Sequence, residues 1–331
     1  SHRAIQIDAA NNPGNSGGPV LQGDQVIGVA FQGMRGSAEG TGYIIPTPVI
    51  RRFLADIKNG HYDGYVDLGI STFKLFNAAQ RRALGIPNDN KGVLVSRVYP
   101  KSSADGSLQA NDILLEIDSY SILSDGRILL EGELVNLEEV VERKLHGESV
   151  ALKILRGGEA QNVSFPLSTF EPARIHAVEY QTRPAYAMFG GLVFQPVSRN
   201  MLAAYAFDTL EIRKALDDYL NEDLYLERPE LVVLTQVLTD SINADLAGVG
   251  GWVVDTINGE PVRKLADLVR ILFEPLEAGT LPEFIVIRCR GAGRPFVLES
   301  RELAAAQRRI RAQYGISLDY RLPTPRGQTE W

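Results

Sequence analysis

Gly14-Asn15-Ser16-Gly17-Gly18-Pro19 sets one hydroxyl among three glycines. Glycines let a backbone turn tightly and approach a bound molecule closely. Such a turn can aim the amides of Gly14 and Ser16 at a single point, as stabilisation of an oxyanion requires. The chemistry that fits is attack by Ser16 on a carbonyl carbon, and a serine hydroxyl needs a general base for that step. The chain has four histidines, His2, His61, His146 and His176. His2 reads as a linker or tag remnant, and the other three read as surface or loop residues. The single cysteine, Cys289, excludes an intrachain disulfide and a cysteine-based zinc site. It falls in an alternating run with no histidine after it, which fits a small strand residue and not a nucleophile.

The elements around the serine decide which kind of turn it occupies. The six residues satisfy G-x-S-x-G, the strand-to-helix elbow of α/β-hydrolases, but that elbow needs a helix next. Here "PVLQGDQVIGVAFQG" follows, with a proline, β-branched residues and a turn at Gly23-Asp24, which predicts a hairpin. "IQIDAANNPGNSGGPVL", then "VIGVAF" and "GTGYIIPTPVIRRFL", closely resembles the trypsin-like proteases of the HtrA/Deg family over Ile5 to about Leu54. The resemblance implies that Ser16 is the nucleophile, that the Gly14 and Ser16 amides form the oxyanion hole, and that Ala10, Ala30 and Phe31 belong to the substrate pocket. It also implies that the triad histidine and aspartate precede the serine along the chain. The polypeptide is therefore expected to carry the second half of a protease domain, to lack the triad, and to have an apolar face in need of a partner. Asn15 cannot ionise, so it cannot receive a cleaved N-terminal ammonium. Loop ordering is then the expected switch in place of zymogen cleavage. Ala10 at the pocket base offers no carboxylate, which predicts cleavage after small or medium apolar residues.

Beyond the polar "ADIKNGHYDGY" the composition changes. "VDLGISTF", the short helical stretch "NAAQRRALGI", the strand pair "KGVLVSRVYP" and "NDILLEIDSYSI", a helix at "NLEEVVERKL" and a hairpin around Gly157-Gly158 follow in order. Leu137, Val140, Val141 and Leu145 share one face of the helix, with Asn136 and Glu139 placed as a capping box. "LSDGRILLEGELV" reads as an inserted loop. This order resembles a bacterial-type PDZ domain, which takes a peptide as an added strand. The resemblance makes Leu68-Gly69-Ile70 the loop that binds the peptide's terminal carboxylate through backbone amides. It puts Ile70 and Phe73 on the binding strand. Val140, Val141 and Lys144 are candidates for the groove side of the helix, and Val140 and Val141 fit the core equally well. A second copy is visible in "GWVVDTINGEPV", "KLADLVRILFE" and "EFIVIRCRGAGRPFVLE", with Gly190-Gly191-Leu192 at the carboxylate-loop place. A long charged helical segment interrupts it and is expected to cover its groove, so this copy is expected to serve packing or assembly.

The whole reads as a multidomain chain, mainly β with α. Residues 1–64 are the C-terminal part of a chymotrypsin-like β-barrel protease and 65–172 a first PDZ domain. Residues 173–300 form a second PDZ-like α+β domain with a helical insertion near 201–229, and 301–331 a helical, then flexible tail. The bulk numbers agree: 331 residues suit more than one core. The net charge is 34 − 41 = −7, which argues against nucleic acid as a partner. No run is long and apolar enough for a membrane span. No metal or other cofactor is expected. The resemblance implies an ATP-independent endopeptidase of protein quality control that acts on misfolded polypeptides, binds their C-termini and assembles as trimers in the full-length protein. It also implies a periplasmic or cell-envelope setting, or an organelle lumen. The competing reading is a pseudoprotease, a peptide-binding scaffold.

Overall fold

A computed structural model describes residues 4–7, 14–33, 42–170, 172, 175, 183–205 and 209–323. The chain forms two compact units, Ser1–Phe170 and Glu171–Trp331.

The first unit begins with four strands: β1 (Ile5–Ile7), β2 (Pro19–Gln22), β3 (Gln25–Gly33) and β4 (Gly42–Pro46). They form an antiparallel sheet in the order β1-β4-β3-β2. The turn at Gly23-Asp24 makes the expected β2–β3 hairpin. Helix α1 (Thr47–Asp56) carries Pro48 in its first turn, where the missing N–H of proline costs no helical hydrogen bond. Of the apolar residues in this segment, Ala30 and Ile44 are buried, whereas Leu21, Val26, Phe31, Phe53 and Leu54 are exposed.

The rest of the unit is a six-stranded sheet, β12-β11-β7-β6-β5, with a short β8 paired to β7. In chain order these are β5 (Ile70–Lys74), α2 (Ala78–Ala83), β6 (Val93–Val98), β7 (Ile113–Ile117) and β8 (Tyr120–Ser121). A separate hairpin follows, β9 (Arg127–Leu130) and β10 (Glu133–Asn136), then α3 (Glu138–Glu142), β11 (Ser149–Arg156) and β12 (Glu159–Pro166). Strand β11 buries Val150, Leu152 and Ile154 and turns the residues between them outward, the period of two that a half-buried strand requires. Those three join Leu114, Ile117, Ile122, Ile128 and Leu137 in one core. Each such side chain removed from water stabilises by roughly 1.5–3 kcal/mol.

Two expectations change here. The segment read as an inserted loop is a hairpin: Glu131 (φ 54°) and Gly132 (φ 87°) form its turn, and Ile128 and Leu130 face the core. Helix α3 is also short and lacks the capping box. Asn136 pairs with Arg127 in the β9–β10 ladder, so it cannot cap, and Leu137 starts the helix with no side-chain cap.

The second unit has an eight-stranded sheet in the order β19-β18-β16-β15-β14-β13-β20, with β17 beside β16. It runs through β13 (Tyr186–Phe189), β14 (Leu192–Pro196), α4 (Arg199–Tyr205), α5 (Leu210–Asn221), β15 (Val232–Val237), β16 (Trp252–Ile257) and β17 (Glu260–Pro261). Then come α6 (Leu265–Ala278), β18 (Phe284–Cys289), β19 (Phe296–Glu299), α7 (Leu303–Tyr314) and β20 (Tyr320–Arg321). Helix α6 buries Leu265, Leu268, Val269 and Leu272, spaced three and four apart, against the sheet. Strands β5, β6, β7, β11 and β12 of the first unit correspond in order to β14, β15, β16, β18 and β19, which is the internal repeat expected from the sequence. The described part of the tail belongs to this unit's core, because α7 buries Leu303, Ala306 and Ile310.

Candidate active-site loop and peptide groove

The serine loop is held from below by β3. The Gly17 N–H donates to the Ala30 carbonyl at 2.8 Å, the Ala30 N–H to the Gly18 carbonyl at 2.9 Å, and the Gly18 N–H to the Asn15 carbonyl at 3.0 Å. Gly14 (φ 107°) and Gly17 (φ 88°) adopt backbone angles that a side chain would strain. The β3–β4 pairing slips between Ala30 and Gln32, so Phe31 is bulged out and its carbonyl is left for another donor. Ser16 takes it: its exposed hydroxyl donates to the Phe31 carbonyl at 3.3 Å. The amides of Gly14 and Ser16 have no hydrogen-bond partner among the described residues. Ser16, Gly14, Ala30 and Phe31 are thus brought together, while Ala10 lies outside the described residues. His61 and His146 are exposed and neither bonds Ser16; His2 and His176 also lie outside the described residues. Among the described residues no cluster suited to a metal ion occurs.

The second candidate site surrounds Leu68-Gly69-Ile70. Leu68 is buried, and its carbonyl accepts the Ala104 N–H at 3.0 Å. The Gly69 carbonyl accepts the Tyr99 N–H at 2.9 Å. Gly69 is at φ 68°, and a Cβ there would lie 2.0 Å from the Ser102 Cβ, so only glycine fits. The Gly69 N–H donates to the Asp67 carboxylate at 2.6 Å. Among the described residues strand β5 pairs with β6 alone, and no described strand takes its other edge. Phe73 on that strand and Phe76 just beyond it are 54% and 64% exposed, enough apolar surface to line a docking edge. Ile70 is half-buried.

Val140 and Val141 are both buried in the module core. Lys144 lies just past α3, with its ammonium 2.6 Å from the Asp118 carboxylate. Its carbonyl is approached by the Arg52 guanidinium at 3.4 Å. Arg52 was not singled out from the sequence, yet it is a fixed point of the unit. It is buried on α1, pairs with buried Asp56 at 3.0 Å, donates to the Gly64 carbonyl, and lies 4.4 Å from the centre of the Tyr65 ring. Burial, then the neighbouring Tyr62, pushes the Tyr65 hydroxyl up to about 12. The Arg52/Asp56 spacing of one helical turn was the available signal.

In the second unit the corresponding edge is closed. Strand β13 pairs along β14, and Gly190 (φ 56°) and Gly191 (φ 83°) form the turn between them. Where the first module has the Leu68-Gly69-Ile70 loop, the second has a hairpin turn. The Gly190 N–H donates to the Gln307 side chain at 2.8 Å, and the Gly190 carbonyl accepts from Asn243 at 2.8 Å. Strand β20 then pairs with β13, and Tyr320 packs 4.9 Å from the Phe273 ring on α6. The charged insertion was expected to cover the groove; among the described residues its helix α5 lies elsewhere. That helix packs near β16 and the β18–β19 turn, where Glu211 abuts Gly291 and Asp218 faces Arg290. The strand edge is covered instead by β13 and the tail. Cys289 is buried, and burial raises its thiol to about 12, which is incompatible with a reactive thiolate.

Comparison with known proteins matches these parts. Residues 1–55 match the trypsin family and residues 175–320 match the PDZ domain. "Protease Do-like 2, chloroplastic" of Arabidopsis thaliana is 35% identical over 275 residues, covering 81% of this chain and 44% of that protein. "Protease Do-like 4, mitochondrial" of the same plant is 34% identical over 271 residues, covering 81% and 49%. The chain thus spans about half the length of the curated relatives it matches. A solved structure, the HtrA-type protease AlgW with decapeptide, is 27% identical, covers 50% of this chain and 49% of its own, and has a TM-score of 0.37. Among the described residues no helix is long and apolar enough to cross a membrane. With a trypsin-type serine segment and a PDZ domain in one chain, this polypeptide belongs to the HtrA/Deg family of trypsin-fold, PDZ-bearing serine proteases.

Proposed function

We propose that this chain supplies the nucleophile and the peptide-capturing part of an ATP-independent serine endopeptidase that degrades unfolded proteins. Ser16 attacks the scissile carbonyl, and the Gly14 and Ser16 amides receive the oxyanion. Ala30 and Phe31, with Ala10, border the pocket for a small or medium apolar residue. The observation that carries this reading is the serine loop itself: an exposed hydroxyl on a glycine turn hydrogen-bonded to β3, with two amides that have no partner among the described residues. The first PDZ-type module captures extended segments of unfolded chains along the open edge of β5. In the longer protein the proteolytic parts assemble as trimers or multiples of them.

Taken alone, the chain is proposed to be inactive, because the Ser16 hydroxyl donates to a backbone carbonyl and not to a base. A peptide-binding scaffold is the second reading for this chain in isolation, and the open β5 edge favours it. Casein degradation by the longer protein, with and without Ser16→Ala, tests the endopeptidase reading. Loss of degradation in the variant supports it, and equal degradation removes Ser16 from the mechanism.

A further inference from the structure

A loop that selects a free C-terminus needs backbone N–H groups that are unclaimed and a local field that tolerates another negative charge. At the centre of the Leu68-Gly69-Ile70 loop both conditions fail. Its central amide, that of Gly69, already donates to the Asp67 carboxylate at 2.6 Å, a short charge-assisted hydrogen bond. The loop is not free to turn that amide elsewhere. The Leu68 and Gly69 carbonyls are held by the Ala104 and Tyr99 amides, and Ser102 fills the space beside Gly69. Asp67 is itself anchored: its N–H donates to the Ser168 carbonyl at 3.1 Å, and its carbonyl accepts the Ser103 hydroxyl at 2.6 Å. Among the described residues no lysine or arginine pairs with the Asp67 carboxylate.

A second acid stands nearby. Desolvation, and after it the charge of Asp67, raises the pKa of the Glu138 carboxyl in the first turn of α3. A peptide carboxylate entering here would have to displace one carboxylate from its hydrogen bond beside another acid. Main-chain pairing along β5 is untouched by any of this, because among the described residues only β6 pairs with it.

We propose that Asp67 is the built-in carboxylate of this groove, so that β5 takes internal or end-blocked segments of a polypeptide in preference to a free C-terminus. This rests on the reading of β5 as a peptide-capturing edge and specifies its substrate class. Asp67 is then a specificity-determining residue: it replaces the terminal carboxylate that the family resemblance leads one to expect as ligand.

The test uses the whole chain, immobilised, and short random-sequence peptides synthesised once with free and once with amidated C-termini. Mass spectrometry reads the retained fraction of each set. The wild-type chain retains the amidated set at least as well as the free-acid set. Asp67→Ala raises retention of free acids by about tenfold, the worth of one charge-assisted hydrogen bond, and leaves the amidated set little changed. Asp67→Asn, which keeps an acceptor and loses the charge, falls between them. A wild-type preference for free acids, or an Asp67→Ala ratio equal to wild type, overturns the proposal while peptide capture stands. Retention of neither set by any of the three chains overturns capture at β5 and this proposal with it.

Discussion

Gly69→Ala is the substitution whose cost is most directly written in the coordinates. The new Cβ would lie 2.0 Å from the Ser102 Cβ, 2.6 Å from its Oγ and 3.3 Å from its Cα. Two separable penalties follow. Holding an alanine at φ 68° costs about 1–2 kcal/mol. Forcing a methyl group into filled space costs about 1–3 kcal/mol more, because the neighbour is a Cβ next to backbone and has no flexible end to swing away. Together the first module should lose about 2–5 kcal/mol, a large part of a domain's stability. Ser102→Gly in the same chain removes the obstructing atoms, so the double variant should recover the overpacking part and keep the backbone part. Urea unfolding followed by far-ultraviolet circular dichroism reads the loss. Trp252 lies in the second unit, so its emission serves as an internal control that should not move. A Gly69→Ala chain within about 0.5 kcal/mol of wild type, or a double variant with no recovery, would refute the argument.

Arg81→Ala should unfold or severely weaken the first module. Its buried guanidinium donates to the carbonyls of Leu75, Pro87 and Lys91, to the Ser124 hydroxyl and to Asp89, and removing it orphans buried acceptors at about 3–5 kcal/mol. Arg81→Lys should not restore stability in the same urea titration, since an ammonium cannot span that fork; full recovery would contradict the assignment. In the second unit, the Arg309 guanidinium hydrogen-bonded to Asp240 holds that carboxyl below the usual carboxylate range. A depressed folded-state pKa gives stability that is complete above the unfolded value of about 4 and is lost as pH falls through the folded one. Arg309→Ala should therefore melt lower than wild type at neutral pH, with the gap closing as the pH falls through the depressed folded-state pKa; a pH-independent gap contradicts this. The Cys289 thiol, buried and raised to about 12, should resist a disulfide reagent in the native chain and react after unfolding in urea. Rapid native labelling would show that the strand opens.

Legibility in the sequence followed the range of the interactions. The serine loop and the hairpin after it were readable because Gly14, Gly17 and the Gly23-Asp24 turn are local demands on the backbone. The repeat was readable because α6 and β11 carry their core residues at fixed periods. The β9–β10 hairpin was missed because its turn uses Glu131 at positive φ, an unusual residue there, ahead of Gly132. The fate of the second module's edge was missed for a different reason. Strand β20 is two residues long and pairs with a strand more than a hundred positions away, and no local pattern announces such a contact. Asp67 was passed over because an aspartate before a turn reads as solvated until the Gly69 amide is seen to point at it. Asn136 shows the reverse case: a good local cap was overridden by a ladder partner.

The central claim is that Ser16 is the nucleophile of the longer protein to which this chain belongs. The most direct measurement is covalent: the longer protein is treated with a fluorophosphonate, digested, and its adduct located by mass spectrometry. The account predicts one phosphonylated site, Ser16, with adduct formation abolished in Ser16→Ala in step with casein degradation. Degradation that persists while Ser16 stays unmodified, or an adduct on another serine, would contradict it.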